Sequence, residues 1–157
     1  MIGIAVLLSM PVWAQQPSAQ SMKTLASSAE VQQLIASAKK QRTADQPLIS
    51  QTLLQLAPYK ANLEYRASVG TAAIHEKEAE VFYVIDGAAT LVTGGKLVNE
   101  KRTNAENLTG TALEGGASQA VAKGDFFIVP ENTGHWFSEI RSTLVLMSLH
   151  LPRSGGK

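Results

Sequence analysis

Apolar and polar residues alternate along most of the chain after Pro47, and this pattern most constrains the fold. The alternation is strict between Tyr59 and Arg66. One face would carry Tyr59, Ala61, Leu63 and Tyr65, and the other Lys60, Asn62, Glu64 and Arg66. Successive side chains of a β-strand point to opposite faces of its sheet, so this segment is predicted to be a strand. Its polar face either meets water or lines a pocket.

Other short segments have the composition of strands, and turn residues separate them. They are residues 48–56, 80–85, 88–93, 126–129, 135–140 and 143–151. Asp86-Gly87 lies between two of these segments and indicates a β-hairpin with a tight turn. Residues 99–118 are polar and rich in glycine, which is typical of a loop or a weak hairpin.

The strand at residues 80–85 is apolar on both faces apart from Glu80. Such a strand should be covered on both sides. One cover would be the domain interior, and the other could be the N-terminal helix, the first strand or a second subunit. We therefore expect a homodimer.

A helix is predicted ahead of the strands, within residues 27–42. Ser27 and Glu30 fit a capping box, apolar residues follow at helical spacing, and basic residues stand at the end. These signals place the helix at Ser28 to Gln41, packed on its own domain. The many short strands of residues 47–152 predict an all-β domain with a closed or sandwiched antiparallel sheet.

Composition excludes several classes of function. The formal net charge is +1 and basic residues are scattered, so we expect no nucleic-acid partner. Cysteine is absent, which leaves histidine, aspartate and glutamate to bind any metal.

The first 14 residues form an apolar run that is too short to span a bilayer and ends in small residues around Trp13. We expect an export signal over residues 1–14, a linker over 15–26, and a periplasmic or secreted protein without a stable membrane anchor after cleavage. The run has no basic residue near Met1. The alternative is an unprocessed N-terminal strand.

Two stretches hold candidate metal ligands. HEKEAEVFYVIDG runs from His75 to Gly87, and GDFFIVPENTGHWFSE runs from Gly124 to Glu139. Both resemble the paired motifs of the cupin superfamily. Cupins are small jelly-roll barrels that often hold one metal ion. His75, Glu80 and Gly87 match the second half of the family's first motif at its spacing. Gly124, Pro130 and His135 match the second motif in the same way.

The chain departs from these motifs at three positions. Ala73 stands where the first motif has its first histidine, and Asn132 and Glu139 replace a glycine and an asparagine of the second motif. The resemblance thus implies three metal ligands, His75, Glu80 and His135. His150 could supply the lost ligand if it points inward, but an exposed histidine near the C-terminus is the favoured interpretation.

An imidazole and a carboxylate on neighbouring strands can meet a second imidazole from a facing strand inside such a barrel. Buried ionisable groups without partners are costly, so convergence on a cation is a natural solution. Fe(II), Mn, Ni, Co and Zn all suit these ligands. The alternative is that each residue is an ordinary hydrogen-bonded polar group.

Strand parity suggests what surrounds the ligands. Phe82, Val84 and Phe137 share parity with Glu80 or His135 and would form an apolar pocket wall or plain core. Glu139 shares the parity of His135 and is a candidate acid or base, whereas Trp136 should point toward a neighbouring sheet or subunit. The function expected from the resemblance is that of a metal-dependent dioxygenase, isomerase or lyase for a small organic substrate. The alternative is a small-molecule binding or sensing cupin without metal or catalysis.

Overall fold

A computed structural model describes residues 22–153, and the predicted export signal lies outside this range. The described chain consists of one helix followed by thirteen strands. In chain order these are α1 (Ser28–Gln41), β1 (Leu48–Leu56), β2 (Tyr59–Arg66), β3 (Ala72–His75), β4 (Glu78–Asp86), β5 (Ala88–Thr93), β6 (Lys96–Val98), β7 (Lys101–Arg102), β8 (Asn107–Gly110), β9 (Ala112–Glu114), β10 (Ala117–Ala122), β11 (Phe126–Val129), β12 (His135–Ile140) and β13 (Leu144–Pro152). The prediction of an all-β protein with one N-terminal helix is confirmed.

The strands form two main antiparallel sheets. One has five strands in the order β1-β2-β13-β4-β11, and the other has six in the order β10-β5-β12-β3-β8-β7. A small third sheet pairs β6 with β9. The core packs the inner faces of the two main sheets together, with Phe82 and Leu146 of the first against Leu91 and Phe137 of the second.

The helix α1 lies on the outer face of the five-stranded sheet. Ser27 caps it by accepting a hydrogen bond from the backbone N–H of Glu30. Its apolar stripe packs against Leu63 and Tyr65 of β2, among other residues. The apolar face of β2 therefore points outward beneath the helix, and its polar face, with the buried Glu64, points into the domain. This settles the orientation that the sequence left open.

The predicted hairpin at Asp86-Gly87 is wrong. β4 pairs with β13 and β11, whereas β5 pairs with β10 and β12. Gly87, with φ of 89°, turns the chain from one sheet to the other. The turn leaves only one residue between the strands, so the two strands diverge instead of pairing.

The interpretation of residues 99–118 as a loop or weak hairpin is confirmed only in part, since β7 and β8 pair as a short hairpin but the segment also joins the main sheet. This segment contains β7, β8, β9 and the beginning of β10. β8 pairs with β3 and so belongs to the main six-stranded sheet. Its pairing places Asn107 directly opposite His75.

The residues just before the helix also contact the five-stranded sheet. Lys23 forms backbone hydrogen bonds with Gln55, so part of the predicted linker contacts the edge of β1. Within residues 22–153, no helix combines the length and apolar character that crossing a membrane requires.

Candidate metal centre

The chain contains three histidines, and all three meet around Glu80. The Nε2 atoms of His75 and His135 each lie 3.3 Å from Oε2 of Glu80. The Nε2 atom of His150 lies 3.3 Å from the other oxygen, Oε1. One carboxylate is thus surrounded by three imidazole nitrogens, at one end of the space between the two sheets.

Four strands bring these side chains together. Glu80 points inward from β4, on the same face as Phe82, and only 3% of its surface is exposed. His150 lies directly opposite Glu80 in the pairing of β13 with β4. His75 ends β3 and His135 begins β12, and both strands belong to the facing sheet. The site therefore depends on contacts between strands that are far apart in sequence.

Hydrogen bonds define the tautomers of two of the histidines. Nδ1 of His75 lies 2.6 Å from Oδ1 of Asn107, whose amide nitrogen donates to Oδ1 of Asn104. Nδ1 of His150 lies 2.9 Å from a carboxylate oxygen of Glu78. Because these oxygens only accept hydrogen bonds, each Nδ1 carries the proton, and in the neutral ring each Nε2 presents a lone pair. Both lone pairs then face the carboxylate of Glu80.

Such an arrangement fits a divalent metal. Two lone pairs directed at a carboxylate repel it unless a cation stands between them, either protons on the rings or a metal ion. One ligand atom each from His75, Glu80 and His135 lie within 4.8 Å of one another. Neutral imidazoles and a carboxylate are ligands that suit Fe, Mn, Co, Ni and Zn. The residues present therefore match the donor set of a transition-metal site.

Electrostatics at the site favour positive charge. Burial alone would raise the pKa of Glu80, but the three surrounding imidazoles outweigh it and hold that pKa far below its usual range. Burial alone would lower the pKa of His75, yet contacts with Glu80 and Asn107 raise it. Glu80 also raises the pKa of His150 against the effect of burial.

A cavity of about 230 Å³ adjoins the four side chains. Its remaining lining consists of Pro47, Leu48, Glu64, Arg66, Gly70, Thr71, Ala73, Trp136 and Phe137. Arg66 places Nε and Nη2 at 2.8 and 2.7 Å from one oxygen of Glu64, and its guanidinium group lies over the ring of Phe137 at 4.9 Å. The other oxygen of Glu64 accepts a hydrogen bond from the buried Ser148. The cavity thus borders an Arg66–Glu64 ion pair whose guanidinium group is held against the ring of Phe137.

The three predicted pocket residues have different surroundings in the structure, and only one of them lines the cavity. Phe137 lines the cavity. Phe82 is fully buried and packs near the ring of His135, with the ring centroids 5.8 Å apart. Val84 is fully buried in the core cluster and does not line the cavity.

The predicted inward position of Glu139 is wrong. The pairing of β12 with β5 shifts register between Phe137 and Glu139, so an extra residue reverses the alternation of side chains. Glu139 is exposed and accepts a hydrogen bond from Thr90 on the outer surface. It therefore cannot act as an acid or base in this cavity.

One other residue near the site differs from expectation. His150 was expected to be exposed, but it lies in the cluster with 23% of its side chain accessible. Trp136 faces a neighbouring sheet, as predicted, because it packs with Leu97 and Leu113 of the small sheet. It also borders the cavity and donates a hydrogen bond from Nε1 to the carbonyl oxygen of Gly70.

Fold and site together define a small antiparallel barrel that brings histidines and a glutamate together inside one end. The family model described as "Cupin" matches residues 37–151. The chain belongs to the cupin family. No curated protein is similar enough in sequence to match the chain.

Solved structures show the same fold at low sequence identity. KdgF from Halomonas sp. is 15% identical, with a TM-score of 0.50 over 71% of this chain and 86% of its own. TT1209 from Thermus thermophilus is 16% identical, with a TM-score of 0.51 over 71% and 90%. A Klebsiella pneumoniae protein with a double-stranded β-helix domain is 14% identical, with a TM-score of 0.50 over 73% and 85%. At this identity the likeness concerns the fold alone.

The stability of the metal-free protein should depend on pH in a defined direction. His75 and His150 have raised pKa values, so their contribution is complete below the ordinary value of 6.5 and is lost as pH rises beyond it. Glu80 has a lowered pKa, so its contribution is present above 4.5 and is lost as pH falls well below it. The melting temperature in chelator should therefore fall as pH rises above about 6.5. A melting temperature that increases with pH there would contradict this charge arrangement.

Proposed function

We propose that this cupin binds one divalent transition metal through His75, Glu80 and His135 and acts on a small organic molecule in the adjoining cavity. The observation that carries the proposal is the meeting of all the chain's histidines on one buried carboxylate. A cluster of lone pairs around a carboxylate is stable only with a cation. A bound metal would supply Lewis-acid chemistry or activate water or oxygen.

The remaining residues would bind and orient the molecule. Arg66 is held in place by Glu64 and by the face of Phe137, so the guanidinium N–H groups that Glu64 does not use are fixed hydrogen-bond donors for the cavity. Phe137 and Trp136 provide apolar walls that exclude water. This combination suits a small molecule with an oxygen-rich or anionic group at one end.

Metal analysis tests the proposal. Protein purified without a histidine tag should hold close to one equivalent of transition metal after reconstitution, and the double variant His75→Ala with His135→Ala should hold none. Added Co(II) or Ni(II) should also perturb the fluorescence of Trp136, which lies next to His135. Wild-type protein that remains metal-free under these conditions would leave the alternative, a cupin that binds its small molecule without metal.

We also propose that the protein is exported through residues 1–14 and forms a homodimer. The support for a dimer is an apolar patch on the outer face of the five-stranded sheet, beyond the part covered by α1. Tyr83, Phe126 and Ile128 are exposed there by 40%, 67% and 56%. β11, which carries two of them, is an edge strand. Sedimentation of a strict monomer at micromolar concentration would remove the dimer from the proposal.

A further inference from the structure

We propose that His150 is a fourth ligand of the metal, contributed by the last strand and positioned by Glu78. This inference depends on the metal site proposed above. It assigns a ligand at a place where the sequence motifs indicate none, since β13 lies outside both of the stretches that carry His75, Glu80 and His135.

The first support is the position of the ring. His150 approaches Oε1 of Glu80, whereas His75 and His135 approach Oε2. The rings of His150 and His75 meet edge to face, with their centroids 4.8 Å apart and an interplanar angle of 83°. His150 thus approaches the oxygen of Glu80 that His75 and His135 do not face, and with His75 and Glu78 it forms a second group of ligand atoms that lie within 4.8 Å of one another.

The second support is the hydrogen bond that orients the ring. Glu78 lies two residues before Glu80, at the start of β4, and its Oε2 atom is 2.9 Å from Nδ1 of His150. A carboxylate on one imidazole nitrogen fixes the proton there and increases the basicity of the other nitrogen. His75 has the corresponding partner in Asn107. In both rings the Nε2 lone pair is therefore oriented to bind a metal ion.

The third support is the small side chain of Ala73 on β3, two residues before the ligand His75. Ala73 lies opposite His135 in the pairing of β3 with β12 and lines the cavity. It offers only a methyl group toward the space that Arg66 and Trp136 also border. A fourth ligand from β13 would therefore come from the five-stranded sheet. The space beside Ala73 would stay free for a substrate.

X-ray absorption of the Co(II)-loaded protein gives a direct test, because it counts imidazole ligands independently of activity. Wild-type protein should show three imidazoles, which is every histidine of the untagged chain. His150→Ala and His150→Gln should each show two, and their Co(II) dissociation constants, measured by chelator competition, should rise about a hundredfold. Glu78→Gln should keep three imidazoles but weaken binding by about 10- to 100-fold.

A relocation variant separates ligand loss from structural damage. In the His150→Ala background, Ala73→His returns an imidazole to the cavity from β3 and should restore the third imidazole and most of the affinity. Circular dichroism identifies any variant that fails to fold. Wild-type protein that binds Co(II) through only two imidazoles, or a His150→Gln variant with unchanged affinity, would overturn the role of His150 and leave the proposed metal site intact. Wild-type protein that binds no Co(II) would overturn both.

Discussion

Glu80→Gln should weaken transition-metal binding by at least about a hundredfold, which is the largest effect expected from one substitution at the site. Glutamine preserves the shape of the side chain but removes the negative charge that all three imidazoles face at 3.3 Å. The metal would lose its anionic ligand, and a buried neutral amide would have to satisfy groups arranged around a carboxylate. Chelator competition with Zn(II) or Co(II) measures the change.

The same substitution should lower the pKa values of His75 and His150 in the metal-free protein. His75 and His150 owe their raised pKa values largely to Glu80, so the Glu80→Gln variant should bind fewer protons near neutral pH. Nuclear magnetic resonance titration of the imidazoles should show lower pKa values for His75 and His150.

Glu139→Gln is the matched control for both measurements. It removes an equal charge from an exposed position on the outer surface, so metal affinity and histidine titration should not change. Equal losses of affinity in the Glu80 and Glu139 variants would show that the metal binds somewhere other than the cavity.

Local sequence signals predicted much of the fold because they act within a few residues. The helix has the bounds that its Ser27 cap and apolar spacing indicated, β2 begins and ends where the alternation does, and β1 covers the predicted residues 48–56. These features depend on helix capping and on side-chain direction along one strand. Neither depends on what lies across the sheet.

The errors arose where distant partners decide the structure. Asp86-Gly87 has the residues of a hairpin turn, but β4 and β5 do not pair with each other. β4 pairs with β13 and β5 pairs with β10, so the two strands belong to different sheets. Residues 107–110 have weak strand character on their own. They become a strand because β3 offers a free edge.

The same distinction holds for the site. The resemblance to the cupin motifs indicated His75, Glu80 and His135, and the structure brings all three together. Glu139 was misplaced by a bulge that leaves no signature in the alternation. The inward position of His150 was considered but not favoured, because β13 is apolar at both odd and even positions and its alternation does not show which face points inward. Only the pairing of His150 with Glu80 reveals that face.

Gly87→Ala should destabilise the protein by about 3 kcal/mol or more, because two separate costs meet at this position. The backbone has φ of 89°, a region that residues with a Cβ atom rarely adopt. An added Cβ would also clash with the carbonyl oxygen of Thr143 and stand 3.1 Å from Cα of Leu144. The chain passes between the sheets here, so the crossing and the start of β13 would have to move apart.

Gly124→Ala is the control that separates these costs. Gly124 has nearly the same dihedral angle, with φ of 93°, but its added Cβ meets no atom within 4 Å. It should therefore show the backbone strain alone, about 1 kcal/mol. Urea unfolding of both variants measures the difference. Because β13 carries His150 and pairs with β4 beside Glu80, Gly87→Ala should also weaken metal binding, whereas Gly124→Ala should not. Equal losses of stability in the two variants would show that strain at the turn, and not the close approach to Thr143, is what requires glycine at residue 87.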